Sequence, residues 1–339
     1  MIEPKIAASN ALEYVLEAKP GESILIISDD VKKEVGQTFA EGAIELGLWT
    51  RLVILSTESD VFRDRIPSNL LEMLNSPSKP DIFINTLRDA AKETPFRIKI
   101  IQLQTRKHLS RLGHCPGITM DMLSRGALSL TREEYDKMQS EARNLLSLLQ
   151  DVDRVIVKAP SGSEFELQVQ GRTWFSDTFL NWKEMKWMNL PTGEVLVGPI
   201  ETSMKGTLVC DLAIGGIGPI KKKVTLVVKD GRVEKIECDD NEILKVVRET
   251  QATDEMARQV GEFAFGLNPK ARLVKQFLES EKVGNTVHVA FGNNMDYPGI
   301  VANNSANHQD FLIDKPTVDI IYSNGGSRRV MEKGKLLLK

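Results

Sequence analysis

The feature that most constrains this fold is the alternation of short apolar runs and helical patterns through the first 150 residues. The runs are rich in β-branched residues at successive positions, which is typical of strands in a parallel sheet covered by helices on both faces. Apolar residues recur with a helical period over residues 6–16 and 31–46. No G-x-G-x-x-G follows the first run, which argues against a dinucleotide site there. The predicted strands are Ser23–Ser28, Arg51–Leu55, Asp81–Asn85 and Ile98–Leu103.

The second half of the chain has a different pattern, in which paired runs flank short turns. Thr131 and Glu134 form a T-x-x-E capping box, which predicts a helix that continues to about Leu149. We therefore predict an α/β domain with a mostly parallel sheet over residues 1–150, followed by a strand-rich α+β domain over residues 151–339, which contains the polar motifs described below. The predicted hairpins are 153–158 with 165–169, and 224–228 with 233–236 around Asp230-Gly231, a strong hairpin signal.

The composition excludes several classes of protein. The 339 residues include 44 Lys and Arg against 47 Asp and Glu, a net charge of −3, so there is no basic surface for nucleic acid or an anionic membrane. No apolar run approaches the ~20 residues of a membrane helix, and the N-terminus lacks a signal-peptide pattern. The scattered cysteines Cys115, Cys210 and Cys238 form no disulfide framework. These features predict a cytoplasmic protein.

Two predicted strands of the second half carry a polar side chain among apolar ones. In T-V-H-V-A-F-G, alternation places His288 on the same face as the small residue Ala290, as in the lining of a cavity. The alternative is a hydrogen-bonded core histidine. In G-E-F-A-F-G, Phe263 and Phe265 predict partial burial of Glu262, which is costly unless the carboxylate is paired or metal-bound. The alternative is a surface glutamate on an edge strand.

Two further motifs add candidate ligands. In H-x-D, His308 and Asp310 would point to the same side of an extended segment, after a polar stretch over residues 303–307 that predicts an irregular loop. Glu194 follows an L-P-T-G turn that offers backbone amides, although a solvated turn glutamate is the alternative. The N-P dipeptide at Asn268 predicts the start of a helix.

Together the candidates are three carboxylates and two imidazoles without a thiolate. Such a set suits Zn²⁺, Mn²⁺, Co²⁺ or Fe²⁺. Five ligands exceed what one structural zinc uses, which predicts two divalent ions about 3.5–4 Å apart. His108 and His114 lie away from these motifs, so we predict that neither is a ligand and that His114 is a loop residue. The predicted metal ligands are Glu194, Glu262, His288, His308 and Asp310.

The motifs N-L-P-T-G-E-V, G-E-F-x-x-G-x-N-P, T-V-H-x-A-x-G and H-x-D, in this order, resemble the aminopeptidase T / AmpS-like family of metallo-aminopeptidases. The resemblance covers mainly residues 185–325. It implies a dinuclear site on the five residues above, a small peptide substrate and a homodimer. It also implies a catalytic tyrosine after the T-V-H strand, a role that falls on Tyr297 with a spacing that differs from the family's; a packing role is the alternative. The chain is shorter than typical peptidase members.

The resemblance favours a metal-dependent aminopeptidase that removes N-terminal residues with a metal-activated water. Glu262 or Glu194 would carry the proton to the leaving amine, and Tyr297 would donate a hydrogen bond to the transition state. One alternative is an iron(II) ring-cleaving dioxygenase of a dihydroxypyridine, which other relatives of this fold resemble. The two retained glutamates favour the peptidase. Another is a metal-binding member without peptidase activity.

Overall fold

The computed structural model describes residues 2–58, 61–106, 110–180, 187–295, 297 and 303–338. Contacts divide the chain into two compact units, Met1–Asp136 with Phe179–Thr192, and Lys137–Thr178 with Gly193–Lys339. The boundary at residue 150 stays a prediction. Across these described ranges, no helix combines the length and the apolar character needed to cross a membrane.

The elements follow one another in a helix-rich first part and a strand-rich second part. The helices are α1 (Pro4–Leu16), α2 (Lys33–Glu45), α3 (Ser68–Asn75), α4 (Thr94–Thr105), α5 (Met120–Ser124), α6 (Arg132–Leu148), α7 (Asn241–Thr250) and α8 (Phe277–Ser280). The strands are β1 (Ser23–Asp29), β2 (Trp49–Leu55), β3 (Ile82–Thr86), β4 (Arg111–His114), β5 (Val152–Lys158), β6 (Glu164–Gln168), β7 (Phe175–Ser176), β8 (Trp187–Asn189), β9 (Glu194–Val197), β10 (Lys205–Cys210), β11 (Ala213–Ile214), β12 (Gly218–Pro219), β13 (Val224–Lys229), β14 (Arg232–Cys238), β15 (Val260–Gly266), β16 (Thr286–Gly292), β17 (His308–Asp314), β18 (Thr317–Tyr322), β19 (Ser327–Glu332) and β20 (Lys335–Leu336).

A parallel sheet forms the centre of the first unit. Its strand order is β2-β1-β3-β4-β8, and every adjacent pair is parallel. The side chains of Ile27, Phe83 and Leu112, from three of these strands, belong to one buried apolar cluster with Leu70 and Ile100 from helices α3 and α4. The predicted parallel α/β part is therefore confirmed.

One predicted strand is wrong, because residues 98–103 lie within helix α4. Phe96 and Ile100 are buried four residues apart and form one helical face, whereas Ile98 between them is 47% exposed. Pro95 occupies the first turn, where a helix does not need its N–H. Burial with a helical period therefore outweighs the local β propensity of the run.

Two local signals in the sequence are confirmed atom by atom. Thr131 Oγ1 accepts a hydrogen bond from Glu134 N at 3.2 Å, and Glu134 Oε2 accepts one from Thr131 N at 2.9 Å, which completes the capping box of α6. Asp230 and Gly231 have φ of 48° and 73°, as a tight hairpin turn requires. A Cβ at Gly231 would lie 1.7 Å from the carbonyl oxygen of Glu201, so only glycine fits there.

The second unit contains two antiparallel sheets. One has the order β14-β13-β10-β6-β5-β18-β19-β20, and the other has the order β12-β11-β17-β16-β15-β9-β7. Strands β5 and β6 pair as predicted, and so do β13 and β14. The strand-rich prediction is thus confirmed. Strands β17, β16, β15 and β9 are neighbours in the second sheet, and they carry the predicted ligands.

The predicted helix start at Asn268 is wrong. The Asn268 side chain accepts hydrogen bonds from Lys270 N at 2.9 Å and Ala271 N at 3.0 Å, as a helix cap would. Its backbone N donates to Lys282 O at 2.9 Å, and its carbonyl accepts from Gly284 N at 3.0 Å. Because these bonds hold Asn268 in extended pairing, its side chain closes only a turn, and the next helix is α8.

Candidate metal centre

The predicted ligands lie on one face of the second antiparallel sheet. Ala290 on β16 pairs with Glu262 on one side and with Asp310 on the other. Directly paired residues project from the same face of a sheet, and residues two apart on one strand do so as well. His288, two residues before Ala290, and His308, two residues before Asp310, therefore share the face of the two carboxylates.

Glu194 joins them at the start of β9. It pairs with Gly266, four residues beyond Glu262 on β15, which puts it on the same face. Its backbone is held by Asp177, whose Oδ1 accepts hydrogen bonds from Gly193 N and Glu194 N, each at 2.8 Å. The glutamate is buried, so the alternative of a solvated turn residue is wrong.

The five side chains form two triplets that share Glu262, and within each triplet the possible ligand atoms lie within 4.8 Å of one another. In the first, His288 Nε2 lies 3.1 Å from Glu262 Oε1 and 3.4 Å from Glu194 Oε2. In the second, His308 Nε2 lies 3.3 Å from Glu262 Oε2 and 3.4 Å from Asp310 Oδ1. Each oxygen of Glu262 thus faces a different histidine.

Contacts behind His308 orient its ring. His308 Nδ1 lies 2.7 Å from the carbonyl oxygen of Asn293, so Nδ1 carries a hydrogen and donates it there, and Nε2 is the nitrogen that faces the carboxylates. In the polar loop before it, Asn303 Nδ2 donates to Val260 O at 2.8 Å. The His308 side chain is 36% exposed, which opens this end of the centre to solvent.

Tyr297 also reaches the centre. Its Oη donates a hydrogen bond to Glu262 Oε2. Its ring packs edge-on against Phe175, with the centroids 5.4 Å apart. The hydroxyl therefore contacts a predicted ligand despite the altered spacing, while a catalytic role for Tyr297 stays a prediction.

The sequence analysis missed Lys282. This lysine is 1% exposed, and its Nζ contacts Glu194 Oε1, lies 2.9 Å from Glu281 Oε1 and 3.3 Å from Asp177 Oδ2. In the sequence, E-K-V resembles any charged surface pair. Its burial among three carboxylates results from tertiary contacts between β7, β9 and the segment after α8, which the local sequence does not indicate.

The carboxylates and imidazoles shift one another's pKa values strongly. Burial would raise the pKa of Glu262, but hydrogen bonds from His288 and His308 outweigh it and hold that pKa well below its usual range. Burial would lower the pKa of His288, but Glu262 and the other carboxylates raise it to about 9. Burial raises the pKa of Glu194 well above its usual range, although Lys282 opposes this. A cluster of this kind takes up protons wherever a cation does not neutralise it.

The residues present fit a divalent metal. Among the described residues, Glu194 Oε2 and His288 Nδ1 are buried without a hydrogen-bond partner. The orphaned Glu194 Oε2 lies on the side of the carboxylate that faces His288 Nε2. Oxygen and imidazole donors are the ligands that Zn²⁺, Mn²⁺ and Co²⁺ accept, and a bound ion would satisfy the orphaned oxygen.

His114 lies at the end of strand β4, so its predicted place in a loop is wrong. It pairs with Asn189 on β8, its ring lies edge-on to Trp187 with centroids 6.4 Å apart, and its Nδ1 is 3.4 Å from Asn85 Nδ2. Parallel pairing with β3 on one side and β8 on the other includes this residue in β4. His108 lies outside the described residues. That neither histidine binds metal stays a prediction.

The family model for thermophilic metalloproteases (M29) matches residues 131–336, which include all five predicted ligands and Tyr297. The chain belongs to the thermophilic metalloprotease family M29. The resemblance drawn from the four motifs is therefore confirmed. A search of curated proteins found no match.

Solved structures show where this M29 fold recurs. The 2,5-dihydroxypyridine dioxygenase from Pseudomonas putida KT2440 is 15% identical, with a TM-score of 0.70 over 99% of this chain and 98% of that one. Wild-type AmpT from Thermus thermophilus is 16% identical, with a TM-score of 0.67 over 98% of both chains. At these identities the likeness shows the fold alone.

M29 membership supports the coarser functional predictions. It supports a metallopeptidase, and hence a hydrolase that uses a divalent metal. The two triplets are candidate positions for that metal.

Proposed function

We propose that this M29 protein is an aminopeptidase that holds two divalent ions on Glu194, Glu262, His288, His308 and Asp310 and removes N-terminal residues from small peptides. The observation that carries the proposal is the position of Glu262, whose two oxygens face the two different histidines. A carboxylate shared by two triplets is suited to bridge a pair of ions. A homodimer in a reducing cytoplasm is proposed on the sequence grounds given above.

The charges of the cluster support two ions. The carboxylates are Asp177, Glu194, Glu262, Glu281 and Asp310, and the ammonium of Lys282 lies among them. With both histidines neutral, as metal ligands must be, the carboxylates exceed this ammonium by four negative charges. Two divalent ions would balance that excess, whereas one would leave buried carboxylates uncompensated.

The side chains have separable tasks in hydrolysis. Bound divalent ions would lower the pKa of a water molecule, polarise the scissile carbonyl and anchor the free α-amino group of the substrate. Glu262, whose carboxylate lies at the middle of the cluster, would accept a proton from the attacking water and pass it to the nitrogen of the leaving amine as the C–N bond breaks. Tyr297 Oη, which contacts Glu262, donates a hydrogen bond to the oxygen that gains negative charge in the transition state. The partly exposed side of His308 admits the peptide.

The test compares wild type with Glu262→Gln and, as a matched control, Glu164→Gln on the exposed surface of β6. Metal content is measured, and hydrolysis of leucine p-nitroanilide is assayed with Zn²⁺, Mn²⁺ and Co²⁺. We expect two ions per chain in wild type and in the control. Glu262→Gln should lose metal and lower kcat by ~10²-fold or more, as expected when a general base and bridging ligand is removed.

The same preparations are tested with Fe²⁺ and 2,5-dihydroxypyridine in an oxygen electrode. Oxygen uptake by wild type without amide cleavage under any metal would assign the protein to the dioxygenase alternative. Metal binding with neither activity would support a binding protein that lacks peptidase activity. Both outcomes would contradict the proposed aminopeptidase.

A further inference from the structure

Lys282 is a buried cation beside the candidate metal centre that the proposed reaction does not use. It is 1% exposed, and its ammonium contacts carboxylates of Glu194, Asp177 and Glu281. A buried ammonium is stable only with such compensation. Because three carboxylates engage its ammonium, we consider a role that acts through these neighbours.

The contact divides the two oxygens of Glu194 between different tasks. Glu194 Oε1 accepts a hydrogen bond from Lys282 Nζ. Glu194 Oε2 has no hydrogen-bond partner and lies 3.4 Å from His288 Nε2, within the first triplet. Rotation of the carboxylate would break the bond to Lys282, so one oxygen is kept facing the triplet.

The backbone around Lys282 is fixed against the turn that carries Glu194. Lys282 O accepts a hydrogen bond from Asn268 N at 2.9 Å, and Leu267 N donates to Gly193 O at 2.7 Å. Asp177 connects the two sides, because Oδ1 holds the amide of Glu194 at 2.8 Å and Oδ2 lies 3.3 Å from Lys282 Nζ. The ammonium and the glutamate are therefore held by one rigid set of contacts.

We propose that Lys282 is a positioning residue that engages Glu194 Oε1 and thereby presents Oε2 as the oxygen that binds a metal ion in the Glu194–Glu262–His288 triplet. The inference rests on the proposed metal centre. It predicts an effect confined to one of two ions, because the triplet of Glu262, His308 and Asp310 has no bond to Lys282 among the described contacts.

The experiment measures Co²⁺ binding to metal-free protein by calorimetry and by visible absorption. The variants are Lys282→Met, Lys282→Arg and, as a matched control, Lys158→Met, which removes an exposed lysine paired with Glu164 at 2.7 Å. We expect Lys282→Met to weaken one binding step by ~10–100-fold, as loss of a group behind a ligand does, and to leave the other within ~3-fold. Lys282→Arg should recover part of that loss, and the control should match wild type.

Charge alone predicts the opposite sign, because removal of a nearby cation would tighten both binding steps. Tightening of both steps, equal loss of both, or no change would each overturn the inference. Wild type serves as the test of the centre itself, since failure of wild type to bind two ions would overturn the proposed function instead.

If Lys282→Met does not fold, Asp177→Asn takes its place. This variant keeps an oxygen for the Gly193 and Glu194 amides but removes one negative partner of Lys282. We expect weakening by a smaller factor that is confined to the same binding step. Equal weakening of both steps, which loss of a negative charge alone predicts, or an unchanged isotherm would overturn the inference.

Discussion

Two buried histidines in this chain have opposite tendencies to take up a proton. Carboxylates surround His288 and raise its pKa, against the effect of burial, to about 9. His114 has an asparagine beside it instead, and burial, with a smaller contribution from Arg97, lowers its pKa to about 3. The difference follows from neighbours and not from depth, since both side chains are buried.

The pKa of His114 predicts a pH-dependent stability. In the unfolded chain a histidine has a pKa near 6.5, so between about pH 6.5 and 3 only the unfolded state binds this proton. The free energy of unfolding should therefore fall as the pH decreases through this window, by up to ~1.4 kcal/mol per pH unit. His114→Gln should show a shallower fall. Urea unfolding with a chelator present, at pH 6.5, 6.0, 5.5 and 5.0, measures the difference, and parallel curves for both proteins would contradict the prediction.

Single residues were predictable where the strand pattern marked them. Glu262 and His288 stand out in the sequence because each is a polar residue within an apolar run whose alternation predicts a strand. Lys282 does not, because its partner Glu194 is 88 residues away in sequence and its own neighbours are ordinary charged residues. Its burial depends on three chain segments meeting, which no local pattern records.

At the scale of elements, the entry to β9 depends on one glycine. Gly193 has φ of +140°, and a Cβ there would lie 2.5 Å from Asn268 Cβ. The turn therefore brings two backbone segments together more closely than any side chain allows. In this chain the close approach joins the P-T-G-E and N-P motifs, since Gly193 of the first and Asn268 of the second form the contact.

We predict that Gly193→Ala lowers the free energy of unfolding by ~2 kcal/mol or more and weakens metal binding, because the clash displaces Glu194. Gly171→Ala is the matched control, since Gly171 also has positive φ, +71°, but nothing lies within 4 Å of its Cβ position. Urea unfolding and Co²⁺ titration of both variants separate the effect of a side chain at positive φ from the effect of the clash with Asn268. Equal losses of stability in Gly193→Ala and Gly171→Ala would show that the positive φ, and not the contact with Asn268, causes the effect.

Elements were predictable where pattern and burial agreed, as in β1, α6 and the two hairpins. They were not predictable where a segment satisfied two patterns. Residues 98–103 have the β-branched composition of a strand, yet the spacing of Phe96 and Ile100 against the sheet selects a helix. Asn268 has the hydrogen bonds of a cap, yet pairing with the segment after α8 prevents the helix. Tertiary contacts decided both cases.

At the scale of the whole molecule, the proposed ions should contribute to stability. The carboxylates of the centre exceed the nearby ammonium by four charges when the histidines are neutral. Without cations the fold must meet this excess by protonation. Metal that binds only the folded state stabilises it, by ~2.7 kcal/mol for each ion at a free concentration 100 times its Kd.

We predict that removal of metal with a chelator lowers Tm by about 5–10 °C per ion under those conditions, since ~1 kcal/mol corresponds to ~2–4 °C in a protein unit of this size. Calorimetry of wild type with and without chelator measures the shift. Glu262→Gln, which should bind no bridged pair, should show little change on chelation. Identical melting curves for wild type in both conditions would contradict a stabilising centre.

Strand β8 comes from Trp187–Asn189, yet it completes the sheet of the first unit beside β4. A gene fragment that ends near residue 150 would therefore encode β4 without the strand that covers its edge, leaving N–H and C=O groups open to pairing with other chains. The chain enters the second unit, returns for one short strand and enters the second unit again. Each compact unit is therefore encoded by two separate stretches of the gene, and no single truncation point yields either unit whole.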